Sequence, residues 1–423
     1  MMHRKKKVQI LSLFLTFCLF LVSGATAVPA MADDEPVTSA PAKDYVIVAL
    51  GDSITAGYEP GMKLTSVPYG YVDRLKEQAL FHGRTKAINY GILGLTSDGL
   101  KSYVKAIKEG KPVGADDIQP GLKDPRIGDF ASGVSEAKAT LEKADLITIT
   151  IGGNDLLKLL PDLKNINVEQ LRTEATGVMK SYGENVREVI SVLTELNPSA
   201  QIVLADQYQP VPKLAGVSIY DELEKVKETF TKSVDETAAK FTAESKKVKA
   251  VHIAEAFVGN EMSLTHIYSQ GDIHPNQSGY ETIAKVMAET IWGSYLNTAA
   301  KTGAAPISIV VKGQELKSVY APKLKNNQTF VPIKEITNAI GAKSNWDSRK
   351  GTAAISYNGK TVVIKVGAKK ITVDGQVKNT STPAFLSQVG GEIKTYVPLA
   401  VLVQGLGLDV QYSGKMKTIF INL

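Results

Sequence analysis

Short apolar runs alternate with longer amphipathic stretches from residue 45 to about residue 296, and this alternation constrains the fold more than any other feature. The pattern predicts strands at 45–50, 87–90, 146–151, 201–205 and 248–253. It predicts helices between them at 70–82, 134–144, 168–196, 217–247 and 276–296. Strands that alternate with helices form βαβ units, so we expect a parallel sheet in a three-layer α/β domain. Residues 110–130 are rich in proline and glycine, which predicts a long loop near the functional site.

The first 32 residues have the composition of a secretory signal peptide. Basic residues at 3–7 precede an apolar stretch at 8–22, and small residues ending at Ala32 offer a cleavage site, with a cut after Ala27 as an alternative. The apolar stretch has about 15 residues, fewer than the ~20 that span a bilayer, which argues against an uncleaved membrane anchor. We therefore predict a secreted protein with no stable membrane anchor after cleavage, in which residues 33–44 form a flexible leader.

Removal of this segment changes the chemistry of the chain. The single cysteine, Cys18, lies inside it, so the mature protein would have no disulfide and no Cys-based metal site. Without its four basic residues the net charge falls from +6 to +2, and no block of Lys and Arg remains that would follow a phosphate backbone. We therefore exclude nucleic acid as a partner. The remaining chain is long enough for two domains.

The composition changes after residue 296. Residues 297–306 are small and polar, which is typical of a linker. From 307 to 423, short β-type runs are separated by turn pairs such as Asn-Gly and Asp-Gly. Residues 329–346 recur as residues 395–412 with the same Val-Pro box, apolar spacing, glycine turn and final aromatic residue. Two copies of one strand–helix–strand unit predict a smaller, β-rich α+β domain.

Three segments that follow predicted strands carry candidate catalytic groups. Gly51-Asp52-Ser53 places a hydroxyl at a strand end, although the same residues are also typical of a simple turn. The segment is not a G-x-S-x-G nucleophile elbow, because Thr55 stands in place of the final glycine. It is not a phosphate-binding P-loop either, because no Gly-Lys-Ser/Thr follows it. Gly94 lies in a glycine-rich loop. The N–H groups of this loop could reach an oxyanion, and the alternative is an ordinary turn. Asn154 follows two glycines and could donate its amide to an oxyanion or cap a helix.

A fourth segment contains the candidate base. His274 stands two residues after Asp272, at the start of the last predicted helix, so one turn can hold the imidazole and the carboxylate together. The other histidines of this region have structural or solvent-facing interpretations: His82 at a helix end, His252 in a predicted strand and His266 in a loop.

These four segments, in this order, closely resemble the motifs of the SGNH or GDSL hydrolases over about residues 45–296. The four signature residues of that family would fall on Ser53, Gly94, Asn154 and His274. The resemblance implies a flavodoxin-like, three-layer fold with a central, parallel, five-stranded sheet. It also implies serine esterase or lipase chemistry that needs no metal and no cofactor.

One position departs from the family pattern. The family usually places its acid three residues before the histidine, where this chain has Gly271. We expect Asp272, one residue nearer, to orient the ring of His274, and a backbone carbonyl in that role is the alternative.

The repeated C-terminal unit is similar to the copper amine oxidase N-terminal-like domain, over about residues 307–423. The resemblance implies a stalk or wall-associated module of the kind common in secreted proteins of Gram-positive bacteria. It does not imply copper, because this region has no His, Cys or Met cluster. We expect a spacer or a module that contacts the cell wall or a polysaccharide.

Motifs and resemblance together predict a secreted hydrolase that cleaves carboxylic esters of lipids or lysophospholipids, or acyl and acetyl esters. Ser53 would form the acyl-enzyme with His274 as base, and the N–H groups of Ser53 and Gly94 with the Asn154 amide would form the oxyanion hole. Two alternatives stay open: a carbohydrate or cell-wall deacetylase of the same fold, and a non-catalytic surface-attachment protein. Segments 156–163 and 211–219 could line an acyl pocket or belong to the core.

Overall fold

The computed structural model describes residues 43–63, 65–158, 167–303 and 306–422. The predicted signal peptide, residues 1–32, and positions 33–42 of the predicted leader lie outside the described residues. Within the described ranges, none of the helices combines the length and apolar character that a bilayer crossing requires.

A parallel sheet forms the centre of the first domain. Its strands are β1 (Tyr45–Gly51), β2 (Thr85–Gly91), β3 (Leu146–Thr150), β4 (Gln201–Ala205) and β5 (Val248–Val251). They lie in the order β2-β1-β3-β4-β5, and every neighbouring pair is parallel. This arrangement confirms the prediction of a parallel five-stranded sheet.

Helices cover both faces of this sheet. They are α1 (Ser53–Ala56), α2 (Tyr71–Leu80), α3 (Ser97–Glu109), α4 (Ala115–Ile118), α5 (Ile127–Ser132), α6 (Val134–Leu141), α7 (Gly153–Leu157), α8 (Val168–Leu196), α9 (Val217–Ala243), α10 (Ile253–Phe257), α11 (Glu261–Leu264), α12 (Ile267–Gln270) and α13 (Gln277–Trp292). A 3₁₀ turn, Lys213–Ala215, precedes α9.

Side chains of β1 alternate between two cores, as a strand buried on both faces requires. Val48 and Leu50 pack with Tyr103 of α3 and the residues of α6, α8 and α9 around it. Ile47 and Ala49 pack on the opposite face with α2 and α13. The domain therefore has the predicted three layers.

Two features between β2 and β3 differ from expectation. Helix α3 was not predicted, although its apolar residues recur at helical spacing and Thr96 caps it by accepting a hydrogen bond from the N–H of Gly99. Residues 110–130 were predicted as one long loop, but they contain α4 and most of α5. Ile118 of α4 and Ala131 of α5 are buried, so core packing turned a Gly- and Pro-rich segment into short helices.

The C-terminal domain consists mainly of antiparallel strands. They are β6 (Ser308–Val311), β7 (Gln314–Glu315), β8 (Lys323–Lys325), β9 (Gln328–Pro332), β10 (Lys343–Asp347), β11 (Thr352–Tyr357), β12 (Lys360–Lys365), β13 (Lys370–Val373), β14 (Gln376–Asn379), β15 (Phe385–Val389), β16 (Glu392–Pro398), β17 (Asp409–Ser413) and β18 (Thr418–Asn422). The helices are α14 (Ile333–Ile340) and α15 (Leu399–Gly405). The units β9-α14-β10 and β16-α15-β17 are the two predicted copies of a strand–helix–strand repeat.

The two domains contact each other directly. Arg84 forms ion pairs with Asp44 and, at 2.8 Å, with Asp409 of β17. The Gln411 amide accepts from the N–H of Thr85 at 2.9 Å and donates to its carbonyl at 2.8 Å. These side-chain bonds join β17 to β2, the edge strand of the first sheet, so the C-terminal domain lies against that sheet.

Candidate active site

The register of the parallel sheet brings three of the sequence motifs to one edge. Gly51, at the end of β1, pairs with Gly91 of β2 on one side and with Thr150 of β3 on the other. A few positions after these three strand ends come the candidate residues Ser53, Gly94 and Asn154. Because ligands of open α/β sheets bind outside the carboxyl ends of the strands, this edge is the expected site.

The turn between β1 and α1 fixes the position of Ser53. Gly51 has a φ of 144°, and a Cβ built there would lie 2.0 Å from the carbonyl oxygen of Thr150, so only glycine fits. The Asp52 carboxylate then caps α1 by accepting a hydrogen bond from the N–H of Ile54 at 3.0 Å. Ser53 is the first residue of α1 and retains 8% of its surface for solvent or substrate.

Ser53, His274 and Asp272 form a continuous chain of hydrogen-bonding atoms. His274 Nε2 lies 2.8 Å from Ser53 Oγ, and His274 Nδ1 lies 2.7 Å from Asp272 Oδ1. The same carboxylate oxygen accepts the backbone N–H of His274 at 2.8 Å, which closes a tight turn over two residues. The group next to Nδ1 in the structure is therefore the Asp272 carboxylate and not a backbone carbonyl, the alternative considered from the sequence.

The environment of Asp272 favours its ionised form. Burial by itself would raise the pKa of this carboxyl. Hydrogen bonds from the side chain and backbone of His274, together with the nearby charges of His274 and His266, lower the pKa by more than burial raises it. The net effect is a pKa below the usual value. An ionised carboxylate accepts a hydrogen bond from Nδ1–H, which holds the tautomer whose Nε2 is free to act as a base.

Several side chains hold the loop that carries His274. The Tyr208 hydroxyl donates to the carbonyl of Ile273 at 3.0 Å, and the Tyr58 ring lies edge-on to the imidazole with centroids 4.7 Å apart. The N–H of His266 donates to the carbonyl of His274 at 3.0 Å. Sequence reasoning missed both tyrosines, because nothing in their local sequence distinguishes them from core aromatics.

A hydrogen bond joins the side chain of Asn154 to the loop that contains Gly94. Gly94 has a φ of 78°, and its carbonyl accepts from the Gln119 amide at 3.1 Å. Asn154 Nδ2 donates to the carbonyl of Leu95 at 2.9 Å, which uses one of its two amide hydrogens. Asn154 lies inside α7, whose N-cap is Gly152, so it does not cap that helix.

A network of buried hydroxyl groups lies beneath the β1–α1 turn. Thr55 Oγ1 is 2.6 Å from Thr150 Oγ1 and 3.1 Å from the hydroxyl of Tyr71. Asp52 is fully buried beside it, and this burial raises the pKa of its carboxyl to about 7, against the opposing effects of the Ile54 N–H, the His274 charge and the Thr150 hydroxyl. Asp52 belongs to the Gly51-Asp52-Ser53 motif, but its burial could only be known from the structure.

An apolar pocket of about 70 Å³ adjoins the triad. Its wall includes Ile54, Gly153 and Ile273, the direct chain neighbours of the three candidate residues Ser53, Asn154 and His274. Leu156 and Val211 also line it, so both segments proposed for an acyl pocket contribute to it. Positions 159–163 of the first segment lie outside the described residues.

The rings of the remaining histidines of this domain contact other side chains, although the backbone of His266 bonds that of His274. His82 stacks on Trp292 with centroids 5.3 Å apart, and His252 Nδ1 and Nε2 are each 3.3 Å from a carboxylate. His266 Nε2 lies 3.0 Å from Glu59. In the part of the chain that the structure describes, no group of three or more His, Cys, Asp or Glu side chains could hold a metal ion.

Comparison with known proteins assigns the chain to a family. The profile of the GDSL-like lipase/acylhydrolase family matches residues 47–287, and that of the copper amine oxidase N-terminal domain matches residues 310–421. The uncharacterized protein YpmR of Bacillus subtilis (strain 168) is 26% identical over 291 residues, which are 67% of this chain and 96% of YpmR.

Among solved structures, the lipase Lip_vut3 from a goat rumen metagenome is 19% identical, with a TM-score of 0.38 over 58% of this chain and 97% of its own. A catalytic mutant of Axe2, an acetylxylan esterase from Geobacillus stearothermophilus, is 15% identical, with a TM-score of 0.38 over 60% of this chain and 97% of its own. The family match covers more than half of the chain, which therefore belongs to the GDSL-like lipase/acylhydrolase family. Its class is that of the carboxylic ester hydrolases.

Proposed function

We propose that this protein is a secreted serine esterase that hydrolyses esters of short acyl groups through an acyl-enzyme on Ser53. The observation that carries the proposal is the chain of contacts from Ser53 Oγ through both ring nitrogens of His274 to Asp272, at 2.8 and 2.7 Å. A serine hydroxyl is a poor nucleophile unless a positioned base removes its proton, and this geometry supplies that base.

The reaction has two halves. Ser53 Oγ attacks the ester carbonyl carbon while its proton moves to His274 Nε2, and the imidazolium then protonates the leaving alcohol. In the second half, His274 removes a proton from water, the hydroxide attacks the acyl-enzyme, and the acid leaves as Ser53 regains its proton. The N–H groups of Ser53 and Gly94 and the second amide hydrogen of Asn154 stabilise the oxyanion in both halves.

The pocket beside the triad supports a short acyl group. A volume of about 70 Å³ is small beside the roughly 300–1,000 Å³ of pockets that hold drug-sized ligands. We therefore favour acyl chains of a few carbons over the long chains of lipids and lysophospholipids. A deacetylase acting on carbohydrate or cell wall is the second candidate, since an acetyl group also fits.

Two measurements test the catalytic proposal. A fluorophosphonate should label wild-type protein and leave the Ser53→Ala variant unlabelled, because it reacts only with an activated serine. Across p-nitrophenyl esters from acetyl to palmitoyl, kcat/KM should peak below eight carbons. Absence of labelling would instead favour the non-catalytic attachment protein, and a maximum at palmitoyl would contradict the short acyl pocket.

Secretion is part of this proposal and is supported by the sequence of residues 1–32. Expression of the full chain in a Gram-positive host should release a protein whose N-terminus is Asp33, or Val28 if the alternative site is used. An intact Met1 on cell-bound protein would contradict it.

We also propose that the C-terminal domain contacts an anionic polymer of the cell wall. Residues 306–423 contain 16 Lys and Arg but only 6 Asp and Glu, whereas residues 45–296 contain 27 and 33. Lys323 and Lys394 lie over the rings of Tyr396 and Tyr320, at 4.9 and 4.2 Å from their centroids. Such a segregated positive charge attracts polyanions and is screened by salt.

Purified cell walls provide the test for this contact. The full-length mature protein should sediment with walls at low ionic strength and be released by 0.5 M salt. The triple variant Lys323→Ala, Lys325→Ala, Lys394→Ala should bind more weakly with unchanged esterase activity. Equal binding of the variant, or binding that salt does not affect, would contradict the proposal.

A further inference from the structure

The apolar pocket beside Ser53 contains a buried polar group that the catalytic mechanism does not use. Gln207 follows β4 by two residues, lines the pocket and is 4% exposed. Its amide lies against Gly153, because a Cβ built on that glycine would come within 3.3 Å of Gln207 Oε1. Gly153 lines the same pocket and precedes Asn154, so the Gln207 amide lies close to the reaction centre.

The amide nitrogen of Gln207 is unpaired. Nε2 is buried and has no hydrogen-bond partner among the residues that the structure describes. A buried donor without an acceptor loses its hydrogen bond to water and gains none in return, so native proteins seldom retain one without a reason. A ligand oxygen inside the pocket would supply the missing acceptor.

A second glutamine of the pocket has a similar amide. Gln209 Oε1 accepts from the N–H of Val211 at 2.9 Å, while its Nε2, like that of Gln207, is buried without a hydrogen-bond partner among the described residues. Gln207 is the one that lies against Gly153, the neighbour of Asn154. Lys227 also lines the pocket, but its ammonium lies 2.6 Å from Glu224 Oε2. The positive charge is therefore already balanced, and the pocket presents a neutral donor rather than a site for a carboxylate.

We propose that this pocket selects short acyl groups that carry a neutral hydrogen-bond acceptor, a keto, hydroxyl or ether oxygen, which receives the Nε2–H of Gln207. The proposal rests on the esterase function and names the class of acyl group at the same site. Gln207 is a specificity-determining residue in this assignment, because it contacts the acyl chain and not the reacting ester.

Two p-nitrophenyl esters of equal chain length test this selectivity. The 4-oxopentanoate has a keto oxygen that the pentanoate lacks, while the leaving group is the same. Wild-type kcat/KM should be about tenfold higher for the oxo ester, since tenfold corresponds to about 1.4 kcal/mol, which is within the range of one hydrogen bond. Rates measured with Ser53→Ala give the background to be subtracted.

Variants at Gln207 separate the amide from the shape of the pocket. Gln207→Leu and Gln207→Met keep about the same volume but remove the donor, so the tenfold preference for the oxo ester should vanish. Neither variant should unfold more easily than wild type, because each removes an unsatisfied buried group. Gln209→Leu removes the other unpaired amide of the pocket and should retain the preference; loss of the preference in this variant alone would overturn the assignment to Gln207.

The outcomes distinguish the two proposals. Equal rates on both esters in wild type, or a preference that survives in both Gln207 variants, would overturn the assignment of Gln207 while leaving the esterase intact. No turnover of either ester together with no fluorophosphonate labelling would overturn the esterase function and the acyl specificity with it.

Discussion

Asp272 and Asn154 act on different atoms of the reaction, so substitutions at the two positions should have different consequences. Asp272 holds Nδ1 of His274 at 2.7 Å, whereas Asn154 offers an amide hydrogen to the oxyanion. Asp272 fixes the tautomer of the base, and Asn154 stabilises negative charge in the transition state.

Replacement of Asp272 by Asn should lower kcat by about 10³–10⁴ with little change in KM. The amide can donate to Nδ1 and stabilise the tautomer that leaves Nε2 protonated, so the base is lost. Steady-state kinetics on a short p-nitrophenyl ester measure the effect, with the exposed Asp221→Asn as control. A loss of less than tenfold would favour orientation of the ring by backbone groups.

Replacement of Asn154 by Ala should lower kcat by about 10²–10³, the usual effect of removing one side-chain donor from an oxyanion hole. The variant should remain folded by circular dichroism, because Asn154 is only half-buried. The exposed Asn345→Ala serves as control. An unchanged rate would remove Asn154 from the oxyanion hole.

Asp52 should make stability depend on pH. Burial raises its pKa in the folded state to about 7, against about 4 in the unfolded chain. Between these values the unfolded state loses a proton that the folded state keeps, so stability falls as the pH rises from 4 to 7. The fall attributable to this group is on the order of 4 kcal/mol.

Urea unfolding of wild type and Asp52→Asn at pH 4 and pH 8 measures this effect. The amide does not ionise, so the variant should lose much less stability between the two pH values than wild type. Since other titrating groups are common to both proteins, the difference between them isolates Asp52. Parallel losses in both proteins would show that Asp52 ionises in the folded state as it does in water.

At the scale of elements, the start of α13 lies in close contact with the end of α11. A Cβ on Gly279 would lie 2.1 Å from the carbonyl oxygen of Leu264, which is backbone and cannot move aside easily. Gly177 is also helical, in α8, but a Cβ there would meet nothing within 4 Å.

These two glycines form a matched pair of helical substitutions. Gly279→Ala should destabilise the protein by about 1–3 kcal/mol or more, because the clash forces the helix start to shift, and kcat should fall with it. Gly177→Ala should instead stabilise by about 0.5–1 kcal/mol, since alanine loses less backbone entropy in a helix. Thermal unfolding of both variants compares them, and a neutral Gly279→Ala would contradict the close approach.

Prediction of elements from sequence succeeded where the local pattern was strong. The five strands were predicted because each is a short apolar run between helical stretches. Helix α3 was missed because Gly99 and the preceding glycine-rich loop resemble a turn, although Thr96 and the spacing of its apolar residues were available signals. The short helices within residues 110–130 depend on the core that they cover, which no local pattern records.

At the scale of the whole molecule, the two domains share a small apolar core. Phe81 and Phe420 meet edge to face with centroids 5.0 Å apart, together with Leu80 and Val310. Phe420 is fully buried in this contact. The C-terminal domain is therefore docked onto the catalytic domain through side-chain packing as well as through the bonds of Arg84 and Gln411.

A double-mutant cycle should detect this coupling. Phe81→Ala and Phe420→Ala should each destabilise the protein by about 3–5 kcal/mol, and the double variant by less than their sum. The coupling energy of an aromatic pair is about 0.5–1.5 kcal/mol. Calorimetry of the full-length mature protein measures all four states, and strict additivity would mean that the two rings do not interact in solution.

The amino-acid sequence by itself determined the five parallel strands, several of the helices between them, the internal repeat and the identity of Ser53, Gly94, Asn154 and His274 as candidates. These features are local, because hydrophobic periodicity and turn residues act over a few positions along the chain.

Only the tertiary structure decided which groups meet and how they are buried. The contact of Ser53 with Nε2 of His274, the raised pKa of Asp52 and the unpaired amide of Gln207 all depend on atoms supplied by distant segments. Burial and hydrogen bonding are properties of the assembled surroundings, so a glutamine after a strand has no recognisable role until the pocket closes around it.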